Sequence, residues 1–341
     1  MKINYLVFVF FWCTTYSQHF TSVDVLPVEM KDVSIRAISI DGNKVWYGGS
    51  NGMAGYYDFA SASHVVKQLV FEDKRPEFRS IADNGDYIFV LSAGSPALLY
   101  QVDKKNMKVR SVHRDLSKDI FYDGLVFMDS QKGIAFGDPL EDCFALLTST
   151  DGGQTWQKQP CASGLKATGG EAAFAASNST LIARGKKLWI FSGGNQARAF
   201  VSDDNGENWT SYATPIVQGG QMTGIFTADF YDDAIGIIAG GDYQNPQSNR
   251  TNKAVTQNGG KTWNLVADGQ GFGYTSCIRY VPGSCGKEIV SVGHTGLWYS
   301  SDAGQSWKKL LDDPDLYVLS FASRDIAYAA GKDKIVKLNF R

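Results

Sequence analysis

Histidine, cysteine and proline are all scarce in this chain, and each scarcity narrows what the protein can be. Nine prolines and no low-complexity tract in 341 residues exclude collagen-like and disordered architectures. Only four histidines occur, His19, His64, His113 and His294, and there is neither a CxxC pair nor a His/Cys cluster, so no metal site is expected. Neither sign of charge dominates: 33 Lys and Arg stand against 35 Asp and Glu, a net charge of −2. Nucleic acid and anionic membrane surfaces are therefore excluded as main partners. GQGFG at 269–273 lacks the GxGxxG spacing of a dinucleotide loop, and no cofactor is implied.

A long hydrophobic run is missing too. The apolar stretch from Tyr5 to Trp12 is too short for a permanent membrane span. With Lys2 before it and small polar residues after it, the stretch reads as a signal peptide over residues 1–18, cut after Ser17 or Gln18. Phe11 and Trp12 precede Cys13 where a lipoprotein signal needs small residues, which disfavours a lipid anchor. The expected address is the periplasm, the cell surface or the medium.

What the chain has is glycine, aromatic residues and repetition. Four segments fit Ser/Thr-x-Asp-x-Gly-x-x-Trp, the Asp box: STDGGQTW (149–156), SDDNGENW (202–209), TQNGGKTW (256–263) and SSDAGQSW (300–307). In such a turn the carboxylate of Asp151, Asp204 or Asp302 accepts backbone N–H bonds, and glycine supplies a positive φ. Trp156, Trp209, Trp263 and Trp307 then pack between sheets. Asn258 replaces aspartate in the third copy, so a fixed charge is not needed and the box is structural.

A second theme, an apolar segment ending in glycine, recurs around Gly48, Gly94, Gly137, Gly193, Gly240, Gly293 and Gly331. The spacing is near the roughly 40–50 residues that a four-stranded blade needs. Inner strands such as IRAISI (35–40), FRSIA (78–82), YDGLVF (122–127) and EAAFAA (171–176) precede the glycines. The expectation is all-β: one seven-bladed β-propeller over residues 19–341. Pairing of the strand near Val23 to Val28 with KIVKLNFR (334–341) closes the ring and leaves no open sheet edge. Beyond the leader, Cys143 with Cys161 and Cys277 with Cys285 flank turn signals, a spacing compatible with two disulfides or with four buried thiols.

FGDP (136–139), GEAAFAAS (170–177), TGIF (223–226), GGDY (240–243) and the ordered Asp boxes together resemble the exported propellers related to photosystem II stability/assembly factors, found in Bacteroidetes. The resemblance implies a scaffold, expected to be monomeric, that binds a protein or ligand on one face without catalysis. A bacterium without a photosystem would need another client.

On a propeller the starts of inner strands and the ends of second strands meet at the funnel mouth, opposite the Asp-box turns. Candidate ligand-binding residues are Arg36, Arg79, Asp123, Glu171, Arg198, Asp242, Tyr274, His294 and Tyr317. Simple neutralisation of Arg36 and Arg79 by Asp123 and Glu171 is the competing reading. Asp boxes also occur in glycan-cleaving enzymes, so the alternative is a sialidase-like glycoside hydrolase or a polysaccharide lyase. It would take a glycan at the mouth and use Glu171 with Asp123, Asp138 or Asp242 as its carboxylate pair. The Arg-Ile-Pro signature of sialidases is absent.

Overall fold

The computed structural model describes residues 19–341, so the expected leader lies outside the described residues. Among the described residues every regular element is a β-strand. The strands form six sheets. The architecture is a six-bladed β-propeller, and the seven blades expected from the glycine themes are corrected by it.

The reason lies in one long strand. β1 (Val23–Asp41) is followed by β2 (Lys44–Gly49), β3 (Met53–Asp58) and β4 (Ser63–Gln68). Ile35 to Asp41 of β1 pair with β2, whereas Val23 to Glu29 pair with the C-terminal strand Ile326–Phe340. The first and last glycine themes thus belong to one six-stranded sheet, whose other outer member is Leu316–Phe321. A register shift between Glu29 and Ser34 marks where β1 changes partner.

Four sheets have the simple order of four consecutive antiparallel strands or close to it, for example Phe78–Asp83, Tyr87–Ser92, Ala97–Asp103 and Val109–Asp115. The sixth joins Thr223–Phe230 and its three successors to a short ribbon, Glu171–Ala172 with Gly193–Gly194. EAAFAA is therefore not an inner strand beyond its first two residues. The strand that starts the neighbouring sheet is Leu181–Arg184, and residues 173–180 run as irregular chain beside the funnel.

Apolar side chains fill the spaces between sheets. Phe89, Leu91, Leu125, Leu147 and Trp156 share one cluster, and Trp189, Phe191, Ile225, Phe230 and Trp263 another. Each Asp box locks a tryptophan into such a space. Asp151 Oδ1 accepts the Gln154 and Thr155 amides at 2.9 and 3.0 Å, and Trp156 Nε1 donates to the Gly153 carbonyl at 3.1 Å. Gly153 has a φ of 79°, and a Cβ there would stand 2.4 Å from the Phe89 ring, so both conformation and space demand glycine. Asn258 accepts the Thr262 amide through Oδ1 at 3.0 Å, the same bond a carboxylate makes.

Cys143 and Cys161 form a disulfide with Cα atoms 5.7 Å apart. Cys277 is a free buried thiol while Cys285 is disulfide-bonded, so these two do not pair with each other. Cys277 Sγ instead accepts the Leu319 amide at 3.4 Å, inside the core.

Two stability predictions follow from this packing. Ile335, Val336, Leu338 and Phe340 are all buried against β1 and its neighbours, so deleting residues 335–341 should lower the melting temperature of the whole domain in one cooperative step; an unchanged melting curve would refute the closure argument. Trp156→Ala should cost about 3–5 kcal/mol in denaturant unfolding, while Asp302→Asn should leave the unfolding curve nearly unchanged because asparagine makes the same turn at position 258.

Candidate functional site

Where the inner strands converge, the chain encloses a cavity of about 350 Å³ lined by Arg36, Arg79, Asp123, Asp138 and Tyr274 among others. Each of these residues lies on a strand or within a few residues of one. Arg36 lies on the second half of β1, Arg79 on Phe78–Asp83, Asp123 on Tyr122–Phe127, and Asp138 near the end of Gly133–Leu140. Tyr274 precedes the strand Cys277–Tyr280.

The charged groups do not neutralise one another in the way the sequence suggested. Arg79 donates through Nε to Glu77 Oε1 at 2.8 Å, a partner two residues away on its own chain segment. Arg36 lays its guanidinium over the Tyr317 ring, 4.4 Å from the centroid, and reaches the Ala176 carbonyl at 3.5 Å. Glu171 lies apart from both arginines, bound by Arg198 at 2.5 Å between Nη2 and Oε2 and by the Ser192 hydroxyl. It also caps the Thr168 amide at 2.9 Å, so it is a buried structural carboxylate.

Asp123 is different. It is fully buried, and neither carboxylate oxygen has a hydrogen-bond partner. The Asp138 and Ala175 amides lie close enough to favour ionisation, but the Asp138 N–H is already committed to the Phe121 carbonyl at 2.9 Å. Burial, reinforced by the neighbouring Asp138 carboxylate, pushes the Asp123 carboxyl well above its ordinary range, with Arg79 opposing. Burial also raises Asp138, whose Oδ1 accepts the Ala173 amide at 2.8 Å.

Asp242, His294, Arg198 and Glu171 are not among the residues lining this cavity. Asp242 caps the Gln244 amide at 2.9 Å at the base of the polar loop 241–253, and His294 is exposed. Tyr317 reaches the site through its contact with Arg36. Of the aromatic wall only Tyr274 was read in the sequence; Phe174, Phe226 and Tyr243 were not. Phe174 and Phe226 stack at 3.9 Å, Tyr274 meets Phe226 edge-on at 4.8 Å, and Tyr243 meets Tyr274 edge-on at 5.2 Å. Phe174 was hidden because EAAFAA looked like an ordinary buried strand, whereas its irregular backbone turns the ring toward the funnel. Tyr243 stands at the start of a polar loop, a signal that the mouth carries an aromatic residue.

That loop is anchored at its far end by buried groups. Asn252 donates to the Phe272 and Gly273 carbonyls at 2.9 and 2.7 Å. Lys253 is buried with Nζ 2.7 Å from Asn252 Oδ1 and over the Phe272 ring, and burial brings its ammonium down to about 8.

Residues 147–158 match the BNR/Asp-box repeat family model, the segment that includes the first Asp box. No curated protein matches the chain. Among solved structures, "YCF48 bound to D1 peptide" superposes with a TM-score of 0.66 at 13% identity, covering 94% of this chain and 99% of that one. "YCF48 from Cyanidioschyzon merolae" gives 0.64 at 14% identity, with coverage of 94% and 98%. "Crystal structure of RRP9 WD40 repeats" gives 0.67 at 10% identity, with coverage of 95% and 100%. At these identities the likeness is one of fold. Fold and repeat together define the class: a β-propeller that carries a BNR/Asp-box repeat.

The isolated carboxyl makes a pH prediction. A folded-state pKa raised above the unfolded value means that native Asp123 keeps a proton which the unfolded chain releases above about pH 4. Stability contributed this way is full below the unfolded pKa and declines as pH rises, by at most about 1.4 kcal/mol per pH unit. Asp123→Asn should therefore be more stable than the wild type at pH 7, with the difference shrinking toward pH 4 in urea titrations. A constant difference across that range would refute the assignment.

Proposed function

We propose that this propeller is an exported, non-catalytic binding scaffold that captures a protein partner at the funnel mouth. The observation that carries this reading is the cavity itself, with two arginines, two carboxyls of raised pKa and four contacting aromatic rings at one end of the ring of sheets. Mixed polar anchors on aromatic walls are typical of recognition sites. The loop 241–253, with Tyr243 about half exposed at the mouth, gives a partner a surface wider than the cavity. Similarity in fold to a structure described as bound to a D1 peptide supports a peptide-binding use of such a scaffold.

The carbohydrate-active alternative loses its central residue, because Glu171 is held by Arg198 and Ser192 and lies outside the cavity lining. Affinity capture from the native envelope with the purified protein as bait should recover a defined partner. Double reversal, Arg36→Glu with Arg79→Glu, should abolish capture while the melting temperature stays within a few degrees of wild type. Capture that survives the reversal, or turnover of a glycan by protein that captures nothing, would sink the proposal.

A further inference from the structure

Two donors in the wall of the funnel cavity are left unspent, one a guanidinium and one a phenol. Arg36 is partly exposed and has no carboxylate within ion-pair distance among the described residues; its flat face is taken by Tyr317, and its only hydrogen bond is the long one to the Ala176 carbonyl. Tyr274 is 5% exposed and lines the same space, yet its hydroxyl makes no hydrogen bond among the described residues, and unlike the Tyr122 hydroxyl it is not sealed from solvent. Burial raises the pKa of that hydroxyl, and the charged groups that act against burial are two cations, Arg36 and Arg79. Such a donor must pair with whatever fills the cavity, and a poorly matched occupant costs free energy.

The chemistry of that occupant follows from what each wall offers. Asp123 is sealed and keeps its proton, and Asp138 commits Oδ1 to the Ala173 amide, so the acid wall presents little to a cation. Neither acid acts on the Tyr274 hydroxyl. A cation would therefore meet Arg36 and Arg79 with little to balance them, and an uncharged molecule would leave Arg36 without a counter-charge. Inorganic phosphate would find one free guanidinium, because Arg79 is held by Glu77, and would leave the aromatic wall bare. A planar carboxylate fits the fork of a single guanidinium. Phe174 and Phe226, with ring planes 6° apart, and Tyr274 edge-on to Phe226 supply an aromatic surface for the body that carries it. The volume, about 350 Å³, is at the lower end of small-ligand sites of roughly 300–1,000 Å³.

We propose that the funnel cavity binds a small aromatic monocarboxylic acid, its carboxylate on the Arg36 guanidinium and the Tyr274 hydroxyl and its ring against Phe174 and Phe226. Tyr317 holds the guanidinium in one orientation, so little side-chain freedom is lost when a carboxylate arrives. Tyr243, about half exposed and edge-on to Tyr274, adds a further ring at the mouth. This goes beyond capture of a protein partner and does not depend on it, since the acid sits within the cavity and the partner would cover its mouth.

The test is isothermal titration calorimetry of the purified protein with phenylacetate and indole-3-acetate, alongside phenylacetamide, phenethylamine, hexanoate and inorganic phosphate. The two aromatic acids should bind, and phenylacetamide should bind about tenfold or more weakly than phenylacetate, the scale of one lost charged contact. Hexanoate should be weaker than phenylacetate, and phenethylamine and phosphate should give no heat at low millimolar concentration. Arg36→Gln should erase the preference for the acid over its amide, and Tyr274→Phe should weaken phenylacetate while keeping that preference. Arg36 is partly exposed and phenylalanine keeps the shape of the Tyr274 ring, so both variants are expected to fold, which circular dichroism checks. In folded wild type, equal affinity for acid and amide overturns the inference, as does phosphate or hexanoate binding as tightly as phenylacetate, or no binding of either aromatic acid at low millimolar concentration. Partner capture without binding of the acids overturns this inference alone, whereas binding of the acids without partner capture overturns only the scaffold reading.

Discussion

Everything in this molecule depends on a ladder between its two ends. A stack of twisted sheets around an axis buries both faces of each sheet only if the last sheet meets the first. Here the last and first are made into one, because β1 is paired along Val23 to Glu29 with the C-terminal strand and along Ile35 to Asp41 with β2. Thr21 and Ser22 amides also reach the Arg341 carbonyl, so the seam extends to the final residue. The same strand that closes the ring carries Arg36 into the funnel. Closure and the placement of Arg36 are therefore set by one strand.

Much of this was legible because turns and strand cores obey local rules. The Asp boxes fix their hydrogen bonds within eight residues, and the substitution of Asn258 for aspartate shows from sequence alone that the amide oxygen suffices. The apolar runs ending in glycine marked strands correctly in type. The number of blades was less legible, since counting glycine themes assumes that each theme owns a sheet. Whether a strand such as β1 ends after one partner or continues to a second is decided by its register with residues some 300 positions away, and no local pattern encodes that.

The site divided along the same line. Arg36, Arg79, Asp123 and Tyr274 were reachable because the starts of inner strands gather at one end of a propeller, and these four line one cavity there. Glu171 misled because its pairing with Arg198 depends on the ribbon formed by Glu171–Ala172 and Gly193–Gly194, a tertiary choice. Glu77 was overlooked as the partner of Arg79 although it is only two residues away, since a two-residue separation places side chains on the same face only in a strand, and Glu77 lies just before one. Phe174 and Phe226 went unread because an aromatic residue in an apolar run carries no mark of whether it faces a core or a cavity.

The electrostatic state of the funnel follows from how unevenly its charges are paired. Arg198 and Glu171 are mutually satisfied, the carboxylate fully buried and the guanidinium partly so, and they contribute rigidity and little outward field. Arg79 is half-compensated by Glu77, whose side chain keeps contact with solvent. Arg36 and Asp123 remain, one stacked on an aromatic ring and one fully buried beside the Asp138 and Ala175 amides with no side-chain partner. A structural channel would have paired these two, as it paired Glu171 with Arg198, because an unmatched buried carboxyl lowers native stability at neutral pH. Arg36, partly exposed and without a carboxylate partner, is left available to whatever enters the cavity, and that is the physical basis for reading the mouth as a recognition site rather than as packing.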